Sequence, residues 1–232
     1  AVLFAVLGGL ASFGIGNIAQ SSEIAGAMTG LFGLDPLVTG IALTILVGIV
    51  VIGGVKRIGQ VTSLLVPFMS VFYVAAGIVV ILMRITDIPA VFAHIFSSAF
   101  GVRPFAGGVG GYAIMAAMKN GFARGVFSNE AGLGSAPIAH AASSADEPAA
   151  QAIWGVFEVF FDTIVICSIT AFAVLLSGFE LGEASLEAFG TKGSAAVAAF
   201  NAILPGTLGG AIIQASLVFF ALSTILSWRY YG

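Results

Sequence analysis

The sequence predicts an all-α fold, a polytopic transmembrane helix bundle with about six membrane-spanning segments. Three observations carry this. Hydrophobic residues make up 59% of the 232-residue chain and charged residues only 8%, where a water-soluble domain carries about 25% charge. Mean hydropathy is +1.11, so lipid rather than water is the solvent for most of the surface. Apolar runs of about 20 residues, the length that crosses a hydrocarbon core, recur along the chain between short polar or proline-bearing links. The net charge of −3 offers no basic face for nucleic acid. The one cysteine, Cys167, sits in an apolar run and has no disulfide partner within the chain.

The segments follow in order. Segment A covers residues 2–29, B 36–53, C 61–83, D 107–142, E 149–176 and F 208–232. The chain opens inside one apolar run and closes inside another, so it is expected to be an internal fragment. Asp35-Pro36 separates A from B, because a proline disfavours helix at the residue before it. Lys56 and Arg57 mark a B–C loop and form an adjacent basic pair, which places that loop in the cytoplasm by the positive-inside rule. The C–D link holds Pro89, Pro104 and an apolar piece, 91–100, too short to span. Asp146-Glu147-Pro148 marks the D–E link. The acidic E–F link, with Glu180, Glu183 and Glu187, is expected to hold a helical piece over 194–203.

Several helices depart from simple lipid solubility. In A, Gly8, Ser12 and Gly16 recur every four residues and form a stripe suited to close helix packing. Gln20 continues that stripe, and an amide at that depth needs a partner or water. Asn17 and Glu23 add to the polar side. Segment D is the most irregular, reading GFARGVFSNEAGLGSAP over 121–137. Its glycines, its proline and the charges Arg124 and Glu130 suit a broken helix, tolerated at membrane depth only inside protein or beside a watery cavity. The two charges read either as a buried structural ion pair or as part of a site. Segment E carries Glu158 and Asp162 at i,i+4. They fit a proton or cation role, or equally a structural pairing with Lys119 or Arg124. In F, the adjacent hydroxyls of Ser223 and Thr224 offer hard oxygen ligands to a small cation, and Thr224 shares a face with Trp228.

At these residues the chain resembles the alanine or glycine:cation symporter family, the sodium:alanine symporters. The run GFARGVFSNEAGLGSAPIAH over 121–140 is similar to that family's most distinctive motif. So are FGIGN over 13–17 with Gln20, GGVKRIG over 53–59, VPFM over 66–69, DTIVIC over 162–167, and STIL over 223–226 with Trp228, Tyr230, Tyr231 and Gly232. The elements occur in family order across the whole chain. Glu23 and Arg229 depart from the family's usual small or uncharged residues.

The resemblance implies a LeuT-like fold of two inverted five-helix repeats. The end of the first repeat would occupy about 1–85 and the start of the second about 105–232, with D as the second repeat's broken helix. It implies substrate contacts from Gln20, Phe127, Ser128, Asn129, Gly132, Thr224 and Trp228, with Phe127 and Trp228 bounding the side-chain space. Ser223 and Thr224 would bind sodium, and Arg124, Glu130, Glu158 and Asp162 would serve structure or coupling. The implied activity is sodium-coupled symport of a small neutral amino acid across a plasma or inner membrane, with no cofactor beyond the coupling ion. A proton-coupled transporter or a passive channel subunit would use the same polar faces. A membrane enzyme is disfavoured: His94 and His140 lie far apart, and neither HExxH nor GxSxG occurs.

Overall fold

The computed structural model describes residues 2–100, 115, 118–119, 121–122, 129, 134–178 and 194–231. Every regular element among them is helical. In chain order they are α1 (Val2–Phe32), α2 (Pro36–Ile52), α3 (Gly54–Met83), α4 (Ile88–Phe100), α5 (Ala136–Ala141), α6 (Pro148–Leu176), α7 (Ser194–Ile203) and α8 (Leu208–Tyr231). Among the described residues, α1, α3, α6 and α8 are each long and apolar enough to cross a membrane. At 17 residues, α2 is about 25 Å long, just short of a hydrocarbon core of about 30 Å. The chain is a multi-pass membrane protein segment.

Local chemistry explains the boundaries. Asp35 caps α2, its side chain accepting the Leu37 N–H at 2.7 Å, and Pro36 occupies the first turn, where no donor is needed. Gly33, at φ +66°, closes α1 in the left-handed conformation. The expected B–C loop at Lys56 and Arg57 is corrected. The turn is Gly53-Gly54, with Gly54 at φ +73°, and both basic residues lie in the first turn of α3. At 30 residues, α3 is about 45 Å long, so its charged end can stay helical and still reach beyond the hydrocarbon. The apolar piece 91–100 belongs to α4, and 194–203 is the helix α7.

The chain forms two compact units, Ala1–Val80 with Ser177–Gly232, and Ile81–Leu176. In the first, α8 is the central helix. Of its most apolar window 39% is buried, against 12% for α1 and 22% for α3. Ile24 of α1 packs with Ala221 and Ile225 of α8, and Val50 and Ile58 pack on Leu226. Tyr73 meets Phe220 edge-on at 5.8 Å, and Phe68 meets Phe219 likewise at 5.6 Å. The approach of α7 to α8 is closest at Gly209, where an added Cβ would strike the backbone of Phe200 and Asn201. Asn201 Oδ1 accepts the Gly210 N–H at 2.6 Å, which ties the two helices together.

In the second unit, Phe92 of α4 packs edge-on against Phe172 of α6 at 5.4 Å. A polar tie joins α5 to the start of α6. His140 Nδ1 lies 2.7 Å from Gln151 Nε2, and Ser143 Oγ donates to Gln151 Oε1 at 2.7 Å.

Both α1 and α6 contain a π-helical stretch, Ser12–Ala19 and Phe161–Ile166. In α6 the Cys167 N–H bonds to the Asp162 carbonyl, five residues back. In α1 the Asn17 side chain donates to the Ser12 carbonyl at 2.7 Å. Such stretches inside membrane-spanning α-helices are uncommon and concentrate at functional sites.

Candidate substrate and cation site

The first unit carries Gln20, Ser223, Thr224 and Trp228. Helices α1 and α8 run antiparallel: Gly16 faces Trp228, Ile24 packs with Ala221 and Ile225, and Gly30 faces Gln214. This register sets Gln20 level with Thr224. Gln20 is half-buried at the first position after the π-helical stretch. Its side chain has no hydrogen-bond partner among the described residues. Of the small stripe of α1, Ser12 and Gly16 are buried, with Ser12 Oγ donating to the Gly9 carbonyl at 2.7 Å, whereas an added Cβ at Gly8 would meet nothing within 4 Å. Trp228 is 6% exposed and meets the Tyr231 ring edge-on at 5.7 Å.

The Ser223 and Thr224 hydroxyls both donate to the carbonyl of Phe220, at 2.8 and 2.9 Å. Each bond uses the hydroxyl proton and leaves the oxygen lone pairs for another group. Two neighbouring oxygens held this way can act as cation ligands without first breaking a helical bond. The same geometry also occurs as plain back-bonding within a helix; Ser216, bonded to the Ile212 carbonyl at 2.8 Å, is an example.

The second unit carries Asn129, Glu158 and Asp162. Asn129 lies in a bend outside any helix, and Asp162 and Thr163 lie in the π-helical stretch of α6. Asn129 Nδ2 donates to Asp162 Oδ2 at 2.7 Å and approaches Thr163 Oγ1 at 3.2 Å. The Thr163 hydroxyl also reaches Asn129 Oδ1 at 3.2 Å. Both ends of the amide are therefore held by consecutive residues of α6. Asp162 thus holds an amide of segment D, a partner the sequence reading did not consider beside Lys119 and Arg124. Glu158 is exposed. The role of Thr163 was missed, although it stands beside Asp162 in the DTIVIC motif; a hydroxyl next to a carboxylate in an apolar helix was the available signal.

Near the end of segment D, Gly134 has φ +80° and Ser135 precedes the first residue of α5. Pro137 sits in the first turn of α5, where its missing N–H costs no helical bond. Arg124, Phe127, Ser128, Glu130 and Gly132 lie outside the described residues.

A profile of the sodium:alanine symporter family matches residues 1–232, the whole chain. The chain belongs to this family. It is 46% identical over 231 residues to a sodium/alanine symporter, AgcS, of Methanococcus maripaludis, with 100% of the chain and 49% of that protein aligned. It is 37% identical to a putative sodium/proton-dependent alanine carrier, YrbD, of Bacillus subtilis, covering 99% of the chain and 48% of the relative. It is also 37% identical to a probable sodium/glutamine symporter, GlnT, of Bacillus subtilis, over 99% of the chain and 46% of the relative. The chain spans about half the length of these curated relatives. The names of these relatives describe transporters.

Proposed function

We propose that the whole protein imports a small neutral amino acid, alanine or glycine, driven by an inward sodium gradient, through alternating access in a LeuT-like fold. The observation that carries this reading is family membership over the full chain, joined to the paired hydroxyls of Ser223 and Thr224, whose lone pairs are left for a cation. Gln20, Thr224 and Trp228 contact the substrate, as do Phe127, Ser128, Asn129 and Gly132. Ser223 and Thr224 contribute oxygens to sodium, a hard cation that favours such ligands. Arg124 and Glu130 serve structure or coupling.

A second reading, proton coupling, is favoured by one observation. A carboxylate, Asp162, is hydrogen-bonded to the proposed substrate residue Asn129, and one relative is named a sodium/proton-dependent alanine carrier.

The test is uptake of radiolabelled alanine and glycine by the full-length protein in proteoliposomes. Uptake is expected only with an inward sodium gradient. Undiminished uptake with choline in place of sodium at fixed pH would refute sodium coupling. Loss of that uptake on collapsing a proton gradient would then establish the second reading.

A further inference from the structure

From the contact between Gly16 and Trp228 we infer that Gly16 is a positioning residue that sets the size limit for the substrate side chain. The inference rests on the proposed reading, in which Trp228 bounds the substrate side chain.

A Cβ built on Gly16 would lie 2.6 Å from Cδ2 and 2.7 Å from Cβ of Trp228, and nearer still to Cγ. Atoms this close are not the free end of a flexible side chain. The Cβ of Trp228 is fixed to the α8 backbone, so turning the indole about χ1 cannot relieve that overlap. Relief to an ordinary 3.4 Å contact requires this part of α8 to move away from α1 by about 0.7 Å, carrying the indole with it. The Tyr231 ring also meets the indole, edge-on at 5.7 Å.

Gly16 therefore forms the backing surface of Trp228. Volume added behind the indole drives it off α1 and into the space it presents to substrate. Gly16 is buried, and the π-helical stretch that contains it is braced by the bond from Asn17 to the Ser12 carbonyl. A rigid wall discriminates between side chains that differ by one methyl group, a difference worth about tenfold or more in a close-fitting pocket. Other glycines of α1 lack this role, since an added Cβ at Gly8, Gly9, Gly14 or Gly26 meets nothing within 4 Å.

The experiment measures KM and maximal rate for glycine and for alanine with the full-length protein in proteoliposomes, comparing wild type, Gly16→Ala, and Gly16→Ala combined with Trp228→Phe. Gly16→Ala is expected to raise the alanine KM about tenfold while changing the glycine KM less than about twofold. The smaller ring in the double variant is expected to bring the alanine KM back to within about threefold of wild type. Equal loss for both amino acids in Gly16→Ala, or no recovery in the double variant, would overturn the inference and leave only a packing role. If Gly16→Ala does not reach the membrane, the double variant decides alone. A glycine-to-alanine preference shifted from wild type supports the inference, and an unchanged preference overturns it. Wild-type protein that imports neither amino acid would instead refute the proposed function, and this inference with it.

Discussion

Replacing Asp162 with alanine is expected to lower the efficiency of alanine uptake by about threefold to twentyfold. The perturbation removes the acceptor of the 2.7 Å bond from Asn129 Nδ2 and leaves the 3.2 Å contacts between the amide and Thr163 in place. In a compact soluble interior, a hydrogen bond to a charged group contributes about 1.5–3 kcal/mol. Between membrane helices the measured average is nearer 0.6 kcal/mol, with a maximum of about 1.7, because the separated helices also find partners. Asp162 is half-buried and Asn129 lies outside any helix, so the membrane range is the one that applies. At about 1.4 kcal/mol per factor of ten, it gives the stated loss. The assay is the initial rate of alanine uptake in proteoliposomes, normalised to reconstituted protein, for Asp162→Ala, Asn129→Ala and the double variant. The two changes share one contact, so the losses in the double variant should be less than the sum of the single losses. Strictly additive losses would refute the reasoning. An Asp162→Ala protein with an unchanged alanine KM and an altered number of ions moved per alanine would assign Asp162 to coupling rather than to holding Asn129.

Ser223→Ala and Thr224→Val are each expected to raise the sodium concentration needed for half-maximal uptake by several-fold, on the order of one lost oxygen ligand. Sodium titration of uptake at saturating alanine checks this; unchanged sodium dependence in both variants would reduce the pair to helical back-bonding. Gly209→Ala is expected to destabilise the protein by about 1–2 kcal/mol. An added Cβ strikes the backbone of Phe200 and Asn201, an overpacking cost of about 1–3 kcal/mol that outweighs a helix-propensity gain of at most about 1 kcal/mol. Gly26→Ala, where an added Cβ meets nothing within 4 Å, is the control and should be neutral or slightly stabilising in the same detergent-unfolding measurement.

The sequence made legible whatever depends on hydrophobic runs and local turn chemistry. The spans α1, α6 and α8 follow from their apolar length, and the start of α2 follows from Asp35-Pro36, a cap and a first-turn proline. The short helix α7 was visible because the alanine-rich run 194–203 is bounded by turn residues. The first turn of α3 was not. Lys56 and Arg57 looked like a loop because charge interrupts an apolar run, yet a helix longer than the membrane is thick keeps charge in its ends without breaking. The Asn129–Asp162 bond joins residues 33 apart in the chain. No periodicity encodes that pairing, and only the presence of two polar groups at membrane depth hinted that each needed a partner.

The π-helical stretches were the least legible feature, and one of them governs the first unit's geometry. An α-helix turns about 100° per residue, so Gly16 and Ile24, eight residues apart, would differ by about 80° and stand at opposite edges of one helix face. A π-helical turn is wider, closing onto the fifth residue instead of the fourth, and advances only about 80° per residue. With roughly half the steps from Gly16 to Ile24 taken inside Ser12–Ala19, the path closes near two whole turns and the two residues align. Both meet α8, Gly16 at Trp228 and Ile24 at Ala221 and Ile225. Gln20, at the junction between the two helical forms, is carried on the same side, level with Thr224. Reading α1 as a uniform α-helix finds the small-residue stripe but leaves Ile24 at the edge of the face that carries Gly16 rather than in line with it. The wider turn brings into line on α1 a glycine packed against the indole of Trp228 and an isoleucine packed against Ala221 and Ile225.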